Sequence, residues 1–108
     1  MAQDFRNVLN RNVSTGTSTL LTAGNYDAVI GIRVCNILTN AITVDIYIVK
    51  GGVNYYLAKT LSIGPGASVE LIQGGAKLVV VSGDVVTAVA SEANAADIAL
   101  SYIDTISS

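Results

Sequence analysis

The stretch Ala41-Ile42-Thr43-Val44-Asp45-Ile46-Tyr47-Ile48-Val49 places Ile42, Val44, Ile46 and Ile48 on one face of an extended chain and Thr43, Asp45 and Tyr47 on the other. Successive side chains of a strand point to opposite sides, so this alternation predicts a strand with one face in a core. Lys50-Gly51-Gly52 follows and supplies residues that tolerate positive φ where a hairpin must reverse. Val53 to Leu61 is the returning strand.

Outward from this hairpin the same reading extends in both directions. Upstream, Ala28 to Leu38 sets Ile30, Ile32 and Val34 against Val29, Gly31, Arg33 and Cys35, and Thr39-Asn40 turns into the next strand. Val13 and Thr17 to Thr22 suggest weaker strands. Downstream, Gly64-Pro65-Gly66 cannot continue a ladder and reads as a turn. Val69 to Gln73 is a short strand closed by Gly74-Gly75, Lys77 to Val81 is another, and Ser82-Gly83-Asp84 turns into Val85 to Ser91. The final strand is Asp97 to Ile106. Alanines at 88, 90, 93, 95, 96 and 99 favour helix, and a helical turn near Glu92 to Ala96 competes. Yet Val85, Thr87 and Val89, then Ile98, Leu100 and Tyr102, repeat at spacing two, so strand, loop, strand is predicted.

Val, Ile and Thr number 14, 11 and 9 of 108 residues, a β-branched excess that suits pleated sheet. With about eight strands and no stretch long enough for a helical crossover, the fold class is all-β: an antiparallel two-layer β-sandwich of jelly-roll or Greek-key type. Residues 13–108 form the single sandwich domain. Residues 1–12 read as an N-terminal arm, in which Phe5, Val8 and Leu9 are isolated apolar anchors among Asp4, Arg6 and Arg11. Such an arm orders only when something ties it down.

Composition narrows the function. Charged residues make up 13% of the chain, about half the usual share. Mean hydropathy is +0.55, yet no apolar run approaches the ~20 residues of a membrane-spanning helix. No signal peptide pattern is present. The net charge is -2 and the six basic residues are scattered, which disfavours nucleic-acid binding through clustered Lys and Arg. No histidine and a single cysteine leave no Ser-His-Asp or Cys-His pair, no multi-cysteine zinc site and no internal disulfide. No cofactor or metal is expected. Ser, Thr and Asn number 9, 9 and 8, so the polar surface is largely neutral.

Several groups invite a chemical reading. A carboxylate pair among Asp4, Asp27, Asp45, Glu70, Asp84, Glu92, Asp97 and Asp104 would suit glycoside hydrolysis only if two face each other across a cleft. Most sit beside turns or alternate with apolar residues, where capping carboxylates occur. Asp27, Asp45 and Asp84 lack the D-x-D-x-D-G spacing of a calcium loop. Cys35 shares a strand face with Arg33, whose cation would favour a thiolate, but no histidine is available as base. Tyr47, Tyr55 and Tyr56 are the surface candidates. Outward tyrosines stack on sugars or anchor protein interfaces, and the competing reading is cross-strand packing of Tyr47 with a hairpin tyrosine.

The runs Val29-Ile30-Gly31-Ile32-Arg33-Val34 and Ile42-Thr43-Val44-Asp45-Ile46-Tyr47-Ile48 come with Gly51-Gly52, Tyr55-Tyr56-Leu57, Gly64-Pro65-Gly66 and Gly83-Asp84-Val85. From about Asn12 onward this pattern resembles small all-β virion proteins of tailed bacteriophages, particularly those infecting marine cyanobacteria. The resemblance implies a non-enzymatic structural protein located in the virion, most naturally a capsid decoration or other head, neck or tail accessory protein. Its implied partners are copies of itself, a trimer among the arrangements, and other virion proteins. No membrane or nucleic acid is implied. Phe5, Arg6 and Arg11 join the tyrosines as interface candidates. The alternative is a carbohydrate-binding, receptor-recognition module of a phage fibre that takes a host glycan on Tyr47, Tyr55 or Tyr56.

Overall fold

The hairpin around Gly51 and Gly52 is present as predicted. The two glycines take φ of 59° and 80°, the double positive-φ turn whose twist matches that of the strands it joins. Lys50 and Val53 close it. A side chain at Gly52 would be forced into this left-handed conformation, so Gly52→Ala is expected to cost about 1 kcal/mol. The change would be read as a lower urea midpoint at unchanged m.

The computed structural model describes residues 4–24, 26–72 and 77–104. In chain order the strands are β1 (Asp4–Val13), β2 (Ser18–Thr22), β3 (Tyr26–Asn36), β4 (Ile42–Lys50), β5 (Val53–Ile63), β6 (Ser68–Glu70), β7 (Leu78–Val81), β8 (Val85–Ala90) and β9 (Ala96–Asp104). The described residues contain no helix. One sheet runs β1-β9-β3-β6, with β7 also on β3, and the other runs β2-β8-β4-β5. Every pairing is antiparallel. Because β6 and β7 follow one another along the same side of β3, they fill a single strand position, and eight positions result. The connectivity is that of a long hairpin rolled up: β1 on β9, β2 on β8, β3 on β6 and β7, β4 on β5, then β9 against β3 and β8 against β4. This is the jelly roll.

The core lies between the sheets. Val29, Ile32 and Val34 of β3 and Ile98 and Leu100 of β9 face Val44 and Ile46 of β4 and Val86 and Ala88 of β8, all fully or almost fully buried. At one end Asn36, also buried, donates from Nδ2 to the carbonyls of Asn40 (2.8 Å), Ile63 (3.1 Å) and Gly64 (3.1 Å) and accepts from the Leu38 amide at Oδ1 (2.9 Å). Next to it Gly64-Pro65-Gly66 turns as predicted, with Gly66 at φ 70° and the Ala67 amide donating to Gly64 O at 3.1 Å.

Several expectations change. Residues 4–12, read as an arm outside the sandwich, are part of β1 and pair with β9 from Asp4↔Asp104 to Asn10↔Ile98. Their apolar side chains fall on both faces, Val8 inward and Phe5 and Leu9 outward, so no period-2 signal marks them; backbone pairing to β9 holds them. The alternation predicted for β3 fails at a bulge between Val29 and Gly31, which returns Val29 to the core and turns Ile30 outward. There the Ile32 amide donates to Glu70 Oε2 at 2.7 Å and the Ile72 amide to the same oxygen at 3.2 Å, so a carboxylate takes over where β6 ends. β6 is shorter than Val69 to Gln73, and Gln73-Gly74-Gly75 lies outside the described residues, as do residues 105 and 106 of the final strand. The strand, loop, strand predicted around the alanines is present: Glu92 to Ala95 is a turn leading into β9, with Asn94 at φ 52°.

Candidate interaction surface

Tyr47 and Tyr56 stand opposite one another on β4 and β5, with ring centroids 5.1 Å apart and planes at 49°. Tyr47 is buried by this contact and by its position beside Thr87 of β8, itself buried. Lys59 Nζ lies 4.5 Å from the Tyr56 centroid, a cation over the ring face, and 3.7 Å from Asp45 Oδ2. The Asp45 Oδ1 atom accepts from the Thr60 amide at 2.6 Å, holding Thr60 at φ 54°. Cross-strand packing therefore accounts for two of the three tyrosines. Tyr55, on the opposite face of β5, is 55% exposed.

The outer face of the β1-β9-β3 sheet has a different character. Register pairs Phe5 with Ile103, Asn7 with Ser101 and Leu9 with Ala99, so these side chains share one face. Phe5 and Leu9 are 74% and 70% exposed, the largest values among the exposed large apolar residues described. Two shallow depressions mark this face. One, of about 610 Å³, lies among Phe5, Asn7, Ile30 and Ser101; the other, of about 280 Å³, lies among Leu9, Arg11, Arg33, Cys35 and Asp97. Arg6 also lines the first depression and bonds within its own sheet, Nε to Asp104 Oδ2 at 2.9 Å. Sequence singled out Phe5, Arg6 and Arg11 and named Leu9 only as an apolar anchor of an arm; it set Ile30 on the same strand face as Ile32 and Val34, and the β3 bulge turns it, half-buried, to the outer face.

The carboxylates do structural work. Besides Glu70, Asp45 and Asp104, Asp97 accepts from the Asn12 amide at 3.0 Å and Glu92 from the Asn40 side chain. Among the described residues no three His, Cys, Asp or Glu side chains gather as a metal site would need, so Asp27, Asp45 and Asp84 form no such group. Asp84 is buried in the turn before β8, accepting from the Val81 amide at 3.0 Å and from Lys50 Nζ at 2.9 Å. The backbone hydrogen bond, then the lysine, hold its carboxyl below the usual carboxylate range, against the opposing effect of burial. A depressed folded-state pKa means that this stabilisation is complete above the unfolded value of 3.8 and is lost as pH falls through the folded one. Acid unfolding below about pH 4 should therefore be less steep in Asp84→Asn than in the natural chain, as read from melting temperature against pH.

No protein-family model and no curated protein matches the chain. Solved structures do. A chain from the acid-stable capsid of Helicobacter pylori bacteriophage KHP30 superposes with a TM-score of 0.60 at 12% identity, covering 95% of this chain and 87% of that one. A chain from Bacillus endospore appendages, which form a family of disulfide-linked pili, superposes with a TM-score of 0.55 at 17% identity, covering 98% and 88%. At these identities the likeness is one of fold. Both are chains of assembled particles or fibres, and in both cases the match spans nearly the whole of each chain.

Proposed function

We propose that the chain is a non-enzymatic structural subunit of a bacteriophage virion, a capsid decoration or other head, neck or tail accessory protein built from copies of itself and contacts with neighbouring virion proteins. The observation that carries this reading is the complete jelly-roll connectivity, shared along almost the full length of a phage capsid chain. The sequence resemblance to phage virion proteins supports it, as does a surface low in charge with its most exposed large apolar side chains gathered on one sheet face. The carboxylates of Asp45, Glu70, Asp84, Glu92, Asp97 and Asp104 are taken up by amides and cations of the chain's own strands and turns, which supports an architectural reading. Mass spectrometry of gradient-purified particles of the phage that encodes the chain should find it at a fixed ratio to the major capsid protein. Its absence would overturn the reading.

The glycan-binding alternative now leans on Tyr55, because Tyr47 is covered and Lys59 occupies one face of Tyr56. Binding on a glycan array that Tyr55→Ala abolishes would favour it over a purely architectural role.

A further inference from the structure

A jelly roll leaves four sheet edges, and an unprotected edge is a template for pairing with another chain. Three of these edges are short or irregular. β2 has five residues and a register shift, β6 and β7 have three and four, and β5 carries Lys59, the left-handed Thr60 and two register shifts against β4. β1 differs. It keeps unbroken register with β9 from Asp4 to Asn10, its irregularity comes only between Asn10 and Val13, and no described strand lies along its other side. The segment holds no proline or lysine, and its one arginine, Arg6, is bonded to Asp104.

We propose that β1 pairs antiparallel with β1 of a second copy about a two-fold axis through Asn7, joining the two β1-β9-β3 sheets edge to edge. The register follows from the side chains. A two-fold axis perpendicular to the sheet keeps the outer faces on the same side, so outer-face residues oppose outer-face residues. An axis through Asn7 sets Phe5 of each copy opposite Leu9 of the other, covering the two most exposed large apolar side chains twice over, with Arg6 opposite Val8. An axis through Arg6 would oppose like charges. One through Val8 would set Phe5 against Arg11 and Leu9 against Asn7, and one through Leu9 would set Asn7 against Arg11. An axis through Phe5 would set Phe5 against Phe5 and Asp4 against Arg6 but engage only the start of the segment and leave Leu9 uncovered, so the Asn7 axis is the one that pairs Asp4 to Asn10 throughout and covers both apolar side chains. The pairing does not depend on the particle to which the chain belongs, so a solution measurement reads it separately from incorporation into virions.

Sedimentation of the full chain should show a dimer. Phe5→Lys with Leu9→Lys opposes like charges at both pairs and should weaken the dimer by about 100-fold or more; Phe5→Lys with Leu9→Glu opposes unlike charges and should restore it. In a Cys35→Ser background, Asn7→Cys should cross-link to itself under oxidised glutathione, because directly opposed strand residues have Cα atoms within disulfide reach. Phe5→Cys, which faces Leu9, should cross-link far more slowly. This cysteine pair decides the matter if either charge variant fails to fold. A monomer at high concentration, a closed trimer, a dimer indifferent to both charge variants, or equal cross-linking at positions 5 and 7 would overturn the proposal.

Discussion

Asn36→Asp should lower the stability of the chain by about 3 kcal/mol or more and its melting temperature by about 10 °C or more. The buried amide gathers three carbonyls, from the turn after β3 and from the end of β5, while its own oxygen takes the Leu38 amide. Its backbone amide donates to Ala67 O at 2.9 Å, tying in the start of β6. An aspartate would set a carboxylate oxygen where the NH2 group stands, against three acceptor oxygens. It must then remain charged, keeping the Leu38 amide but facing three carbonyl oxygens, or take up a proton and satisfy one carbonyl of the three. Asn54→Asp, on an exposed part of β5, is the control and should change stability by less than about 0.5 kcal/mol. Urea unfolding at pH 7 of the two variants side by side measures the difference.

Leu100→Ala should cost about 3 to 4 kcal/mol. Leu100 is fully buried on β9, the strand between β1 and β3, and its register partners are Val8 on one side and Ile32 on the other. Truncation removes contacts with both neighbours and with the facing sheet, and a rigid two-sheet sandwich closes little over the space left behind. Ser101→Ala, one residue along and on the opposite face, should be within about 0.5 kcal/mol of the natural chain. A pair of urea curves again suffices.

The sandwich was legible in the sequence wherever one strand face is core and the other is not. β4 shows it: Ile42, Val44 and Ile46 alternate into the interior. In β8 the period was visible but not the face, because the β-branched set Val85, Thr87 and Val89 marks the strand while Val86, Ala88 and Ala90 fill the core, with Thr87 buried on the other side. The turns were legible where φ must be positive, at Gly51, Gly52, Gly66 and Gly83. What escaped was whatever depends on non-local partners. β1 is a strand because β9 offers it a backbone ladder 90 or more residues away along most of its length, and nothing in its own apolar pattern reports that. The β3 bulge exists together with the carboxylate of Glu70, 38 residues downstream of Ile32. Asn36 carries no motif, since its partners are carbonyls of three other residues brought together by the fold. The tyrosines illustrate the opposite case: the competing cross-strand reading named the contact that Tyr47 and Tyr56 make. The candidate surface was half legible, with Phe5 named as an anchor and Leu9 grouped with it, but on an arm instead of an edge.

Neutral hydroxyls and amides cover much of the strand surface, and few like charges oppose close packing of copies. The direct test of the proposal that the chain is a virion protein is a cryo-electron microscopy map of phage particles purified from the chain's source. It should show a jelly-roll density of this size at regular positions on the head, neck or tail, fitted by the β1-β9-β3-β6 and β2-β8-β4-β5 sheets. A map that accounts for all its ordered protein density without this chain would contradict it.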